Sequence, residues 1–260
     1  EDLECKVALF SMDEHNKRIK KHTAGGGIAA VFENNYITII KSGWKVRIEK
    51  VINIPLTYGG RAAFMIQNVL AATLAAYLEG LSTEDIKFGL TSFVPGTAQT
   101  PGRLNLIEVG DFKVLIDFAH NPAGMEALSK FVDKFPNKVK IGVVAGTGDR
   151  RDEDIIKLGS VIGKMFTKVV IRQDDNLRGR SSADEISDLL LKGILKANPE
   201  IKHKVIADEV QAIEFALSHT KKNELLVLLP DNIPRCIQIV NKFRESLNPV
   251  KVEHSDIPNQ

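Results

Sequence analysis

From Arg103 onward the chain alternates short apolar runs with amphipathic stretches of helix length, and no other feature narrows the fold as much. The apolar runs are 112–118, 139–145, 168–172, 203–207 and 224–229; the helical stretches are 122–135, 152–166, 183–197, 208–220 and 233–247. Strands and helices in alternation build βαβ units, whose right-handed crossovers give a mainly parallel sheet with helices against it. One further strand, 104–109, precedes the series across Gly110-Asp111, a two-residue hairpin turn. The fold class expected is α/β. In an open sheet of that kind, loops leaving the carboxyl ends of the strands line a common crevice where ligands bind.

The first third reads differently. Strand-like runs at 6–10, 28–32, 36–40 and 46–51 surround an Asn34-Asn35 turn, and a helix follows over 62–79 with Gly80 as its left-handed cap. That helix is apolar nearly all round and is expected to be buried. Ser82 and Asp85 form a capping box for a shorter helix. Two Pro-Gly pairs within 94–102 mark the best linker, so the domains are placed at 1–97 and 98–260. Net charge is only +2, which gives no electrostatic case for nucleic acid or an anionic membrane. No apolar run reaches the ~20 residues of a membrane span. Cys5 and Cys236 have no metal-ligand spacing and read as reduced core thiols. Glu1-Asp2-Leu3-Glu4 is unlike a secretory start, so a cytoplasmic protein is expected.

The polar clusters fall at strand ends. Asp117 closes a strand and Asn121-Pro122 opens the next helix. A carboxylate at that place accepts hydrogen bonds either from ribose hydroxyls or from neighbouring backbone N–H groups. His120 beside it is a catalyst or a structural hydrogen-bonder. Arg103, after Pro101-Gly102 at the hinge, either clamps a phosphate or forms a salt bridge. Gly146-Thr147-Gly148 has the form of a phosphate-binding turn, while Asp149-Arg150-Arg151-Asp152-Glu153-Asp154 also suits a solvated helix start with acids in its first turn. Asp174, Asp175, Arg178 and Arg180 crowd charge into one short loop, which has to face water or a ligand. Gln67 and Asn68 are the only amides in the apolar helix. A buried amide needs partners, either backbone groups or an adenine edge.

In order and spacing these positions resemble the ATP-dependent amide ligases of peptidoglycan synthesis, the Mur ligases. The resemblance is carried by Gly60, Asn68-Val-Leu-Ala-Ala72, Pro101-Gly-Arg103 and Asp117-Phe-Ala-His-Asn-Pro122. Pro55–Arg61, Gly148–Asp154 and Asp174–Arg180 narrow it to the C-terminal ligase half of the cyanophycin synthetase branch. It implies a Rossmann-like C-terminal domain with a mainly parallel sheet, preceded by the truncated α/β tail of the central ATPase domain. It implies ATP and Mg2+ as cofactors, with Asn68 near the adenine, Asp117 near the ribose and Arg103 near the phosphates. His120 and Asn121 would shape the nucleotide loop, and Arg103 and His120 are the expected catalytic residues. Asp149, Arg150, Asp175, Asn176, Arg178 and Arg180 are the expected substrate-binding set, in which a guanidinium can hold a carboxylate bidentately. The reaction implied attaches arginine, through its α-amine, to the β-carboxyl of an aspartate-containing polymer by way of an acyl phosphate. The partners implied are those substrates and the remainder of the ligase, with a homo-oligomer left open.

One departure qualifies this resemblance. No G-x-x-x-x-G-K-[S/T] string is present, and Gly25-Gly-Gly27 precedes a strand and lacks the lysine. The P-loop and the Mg2+ ligands of the family are expected upstream, no metal site is expected here, and the chain reads as a fragment inactive by itself. Another Mur-family ligase, of murein peptide or folylpolyglutamate type, and a non-catalytic nucleotide-binding or assembly module remain alternatives. Gly146 and Gly148, with Asp174 about 28 residues beyond the first, also mimic a dinucleotide fingerprint. Its third glycine position is Arg151, whose bulk obstructs close helix–strand packing.

Overall fold

The computed structural model describes residues 5–174 and 176–247. The chain divides between Pro95 and Gly96 into two compact units. In the first, β1 (Ala8–Ser11), β2 (Ile28–Glu33), β3 (Tyr36–Lys41) and β4 (Trp44–Lys50) form one sheet in that order. β1 is parallel to β2, and β2, β3 and β4 form an antiparallel meander. The β2–β3 turn places Asn34 and Asn35 at φ 50° and 65°, the left-handed pair that a two-residue hairpin needs and Asn tolerates.

Between β1 and β2 runs α1 (Lys17–Ala24), an element the sequence patterns did not predict. Five of its eight residues are basic, and it is anchored by Ile19 against Ala29, Val31 and Ile40, too slight an apolar signal to register as a period. On the opposite sheet face lie α2 (Ala63–Leu78) and α3 (Thr83–Ser92), where Ile66, Val69, Leu70, Leu74 and Ile86 meet Ile37, Ile39 and Ile48. The expectation of an all-round buried α2 fails: Ala63, Gln67, Asn68, Ala72 and Ala75 are exposed. That face is largely alanine, whose small area gains little from burial.

The second unit holds β5 (Asn105–Val109), β6 (Phe112–Ile116), β7 (Lys140–Val144), β8 (Lys168–Ile171), β9 (Lys202–Val205) and β10 (Leu225–Leu228). Their order is β5-β6-β10-β7-β8-β9, and only the β5–β6 pair is antiparallel. α4 (Pro122–Val132), α5 (Asp152–Met165) and α6 (Ala183–Ala197) pack side by side, while α7 (Glu209–His219) and α8 (Ile233–Leu247) pack together. Alternation along the strands divides the core. Val114, Ile116, Ile141, Val143, Val170, Leu226 and Leu228 meet Ala212, Ile213, Ala216, Leu217, Cys236 and Val240 of α7 and α8. Gly142 faces the other way, against Phe166 at the end of α5. α5 and α6 approach at backbone distance. A Cβ on Gly159, Gly163 or Gly193 would come within 2.2, 2.5 and 2.1 Å of the carbonyl oxygens of Leu190, Ile194 and Ile156.

Cys236 is buried, and burial pushes its thiol up to about 12. Cys5, read from sequence as a core thiol, is exposed, because it precedes β1 and no element covers it.

Candidate functional site

β6, β10, β7 and β8 are parallel, so the loops that follow them leave the sheet at one edge. β10 sits between β6 and β7 yet leads to α8, on the face opposite α4 and α5, which makes this edge the topological switch point of the sheet. A small cavity of about 20 Å³, room for one water, opens there among Phe118, His120, Thr147, Arg172 and Asp231.

The β6 loop is built around Asp117. Its buried carboxylate accepts a hydrogen bond from the Leu104 N–H at 3.0 Å. Burial pushes the carboxyl pKa up, against the backbone hydrogen bonds and the nearby charge of Arg103. Leu104 is fully buried at φ 51°, a conformation that L side chains avoid, so Asp117 fastens a strained turn. Gly102 of the same turn sits at φ 71°, where a Cβ would meet Ile233 at 2.4 Å. Its N–H donates to Asn105 Oδ1 at 2.7 Å. The turn leaves Arg103 exposed, with its guanidinium 5.6 Å from the centre of the Phe118 ring. His120 is exposed; its Nδ1 lies 3.0 Å from the Phe118 carbonyl and its ring 5.0 Å from that of Phe118. Asn121 caps α4 by accepting from the Gly124 N–H at 2.8 Å. Arg103, Asp117, His120 and Asn121 are therefore gathered around Phe118.

The β7 and β8 loops interlock. A Cβ on Gly148 would lie 2.1 Å from the Leu177 carbonyl oxygen, and one on Gly146 would lie 2.7 Å from Ile186. Chain packing accounts for both glycines of the Gly-x-Gly pair. Arg151 starts α5, exposed and paired with Asp154 at 2.9 Å. Arg180 donates to the carbonyls of Gly148 at 3.2 Å and Arg150 at 2.5 Å, and to Asp152 and Glu185 at 2.6 and 2.8 Å. Arg178 is exposed at φ 49°, with Nη1 3.4 Å from Asp149 and Nη2 3.8 Å from the buried Asp174. Desolvation opposes ionisation of Asp149, but Arg150 and Arg178 outweigh it and hold its carboxyl below the usual range. Asp174 accepts from the Asn176 N–H at 2.9 Å, and Asn176 from the Arg178 N–H at 3.2 Å. Asp175 lies outside the described residues. Asn68 belongs to the first unit, exposed on α2 with Nδ2 3.4 Å from Met65 Sδ, so the premise that it is a buried amide does not hold.

Sequence reasoning missed Arg172 and Thr147. Arg172 is buried at the end of β8 and donates to Asp231 at 2.7 Å and to the Leu229 carbonyl at 3.0 Å, with Glu209 at 3.2 Å. Glu209 in turn accepts from the N–H groups of Asp231 and Asn232. The available signal was an arginine ending an apolar strand run. Thr147 Oγ1 is buried in the cavity wall without a hydrogen-bond partner among the described residues. Among those residues no three His, Cys, Asp or Glu stand together as a metal site. No described helix is long and apolar enough to cross a membrane.

The family model for the Mur ligase, glutamate ligase domain, matches residues 102–232. The chain is 44% identical over 242 residues to cyanophycin synthetase of Crocosphaera subtropica, covering 93% of this chain and 28% of that protein. To cyanophycin synthetase of a Nostoc species it is 43% identical, covering 92% and 26%. It thus spans little more than a quarter of the length of these relatives. Among solved structures it is similar to Escherichia coli FolC in complex with DHPP and ADP, with a TM-score of 0.61 and 16% identity over 92% of this chain and 54% of that one. Thermotoga maritima MurC gives a TM-score of 0.57 and 14% identity over 93% and 52%. Identities this low speak for the fold alone. The domain match spans half the chain and covers the loops at the switch point: the chain belongs to the Mur ligase family, with cyanophycin synthetases as homologues.

Proposed function

We propose that the chain is part of an ATP-dependent amide ligase of the cyanophycin synthetase type, joining arginine to the β-carboxyl of an aspartate-containing polymer through an acyl phosphate. The observation that carries this reading is a pair of differently built cationic loops on one sheet edge. One holds Arg103 against Phe118 beside Asp117; the other holds Arg178 between Asp149 and Asp174. ATP, when bound, supplies the phosphoryl group that activates the carboxylate. Arg103, set by the turn that Asp117 fastens, faces the phosphate charge, and such fixed cations act by offsetting charge that develops in the transition state. The remaining acceptor capacity of Asp117 suits ribose hydroxyls, and His120 and Asn121 shape the nucleotide loop. Asp149, Arg150, Asp175, Asn176 and Arg178 orient the incoming amino acid. Arg180, grouped with them in the sequence, turns its donors inward, and we assign it to holding the loop. The remainder of the ligase and the two substrates are the partners, and this chain alone is expected not to turn over ATP.

Arg178 in the full-length ligase provides the test. Lysine keeps the charge and loses the planar fork, so Arg178→Lys and Arg178→Ala are both expected to lower catalytic efficiency about ten- to a hundred-fold. The loss is expected for arginine or the aspartyl primer, with ATP affinity unchanged. Equal weakening toward ATP would move Arg178 to the nucleotide side, and wild-type kinetics would make the Asp174–Arg180 loop a solvated turn.

A further inference from the structure

We propose that the outer edge of β4, with the basic face beside it, docks an acidic polypeptide in extended conformation, which adds to the sheet as a further strand. The inference concerns the first unit, and its choice of occupant rests on the ligase reading, whose aspartate-containing polymer has this chemistry. Whole-chain net charge conceals a local concentration: between His15 and Lys50 there are eight Lys and Arg residues and two acids, Glu33 and Glu49. Lys45 is held by Glu33 and by Glu14, just ahead of this stretch, and Glu49 by Asn53 and Lys87, so the cations left to a partner are those of α1 with Arg47 and Lys50. Lys17, Arg18, Lys20, Lys21, Arg47 and Lys50 have no acidic ion-pair partner among the described residues.

The register puts these charges on one side. Lys45, Arg47 and Lys50 stand opposite Ile40, Thr38 and Tyr36, and Ile40 packs under α1. The β4 cations therefore share the sheet face that carries α1, whose Lys17, Arg18, Lys20 and Lys21 are exposed. A cleft lined by Lys20, Thr23, Gly26, Ser42 and Gly43 joins the end of α1 to the β3–β4 turn. β4 ends the strand order, and its outward backbone groups pair with no other strand among the described residues.

Lysines on an edge strand ordinarily keep other strands away. That accounts for a charge or two on β4, but not for the helix beside it. Nor does it account for Trp44 on the same strand, which is 79% exposed and invites apolar contact. Residues two apart on a strand stand about 6.6 Å apart, the interval between alternate carboxylates of an extended acidic chain. Opposite charges facing each other across neighbouring strands are the favoured pairing. Strand addition also returns main-chain hydrogen bonds, which a nucleic acid or a lipid headgroup cannot do. The Tyr36 ring is already covered by Arg47 and Lys50, at 5.1 and 5.6 Å. Trp44 is then the one exposed aromatic left on the strand, whereas single-stranded nucleic acid uses several stacking surfaces.

Trp44 is the only tryptophan, so its emission reports on this edge alone. Titrating the chain with poly-L-aspartate is expected to change that emission saturably, with an affinity that falls as salt rises, and to slow amide exchange over Trp44–Arg47. Arg47→Glu with Lys50→Glu is expected to weaken binding at least about ten-fold, with the fold checked by circular dichroism. Lys202→Glu with Lys204→Glu on β9 is expected to leave it unchanged. The proposal is overturned by the absence of a saturable signal, by full affinity in the Arg47 and Lys50 variant, or by binding without protection of the β4 amides. It is equally overturned if a single-stranded oligonucleotide or anionic phosphatidylserine vesicles bind as tightly as the polypeptide.

Discussion

The inner side of the β8 loop and its outer rim carry one arginine each, Arg180 and Arg178, two residues apart and differently surrounded. The Arg180 guanidinium gives hydrogen bonds to two carbonyls and two carboxylates, all within 3.2 Å. Its partners lie in the β7 loop and at the starts of α5 and α6, so it ties three segments together. Arg178 touches two carboxylates only loosely, at 3.4 and 3.8 Å, from an exposed left-handed backbone position. Donors already satisfied by the chain have little to offer a ligand; donors held loosely in water can exchange partners at small cost. The loop commits its inner arginine to holding the chain and leaves its outer one able to exchange partners, and the positive φ falls at the outer one.

The sharpest way to break this comparison is to disturb the inner side. Gly148→Ala would drive a Cβ into the Leu177 carbonyl and is expected to destabilise the second unit by about 3 kcal/mol, seen as an early thermal transition. Arg180→Ala is expected to lower Tm by several degrees. Arg180→Lys should recover only part of that, because one ammonium cannot reach four spread acceptors. If Arg178→Ala lowered Tm as far as Arg180→Ala, the distinction would be lost.

Asp117 sharpens it from the β6 side. Its folded carboxyl pKa is raised, chiefly by burial, so the folded protein binds that proton more tightly than the unfolded chain does. The stability this contributes is fully present below the ordinary value of 3.8 and is lost as pH rises through the raised one. Asp117→Asn removes the charge and keeps an oxygen for Leu104. It is expected to raise Tm near neutral pH, with the gain vanishing in acid, while weakening ATP binding in the full ligase. A lower Tm at neutral pH would make the carboxylate a stabilising fixture. The smallest effect is expected at the rim: Arg178→Gly relieves a positive φ and should change stability by only about 0–1 kcal/mol, in the favourable direction, while removing substrate recognition. Thermal unfolding and kinetics on one preparation would check both halves.

Much of the second unit was legible because strand and helix periods there are strong and three of the helix starts carry a capping side chain. Asn121, Ser182 and Asp208 all cap the helices they precede. α1 was invisible because its helical face consists of little more than Ile19 and Thr23 in a basic stretch. α2 misled because alanine counts as apolar in a pattern whether or not anything covers it. The site residues were legible as loops and not as roles. Little that is local distinguishes Arg180 from Arg178, since three of the four groups that hold Arg180 lie about 30 positions away and only Glu185 is nearby. Arg172 was missed for the same reason, its partners Leu229 and Asp231 lying 57 and 59 residues on.

The glycine contact between α5 and α6 bears on how this edge can move. Two helices whose backbones touch at three glycines have no side-chain layer to slide or tilt upon, so they form a single stiff lever. The β7 loop is mounted on one half of that lever and the β8 loop on the other. A displacement of either loop is therefore expected to carry Asp149 and Arg178 together.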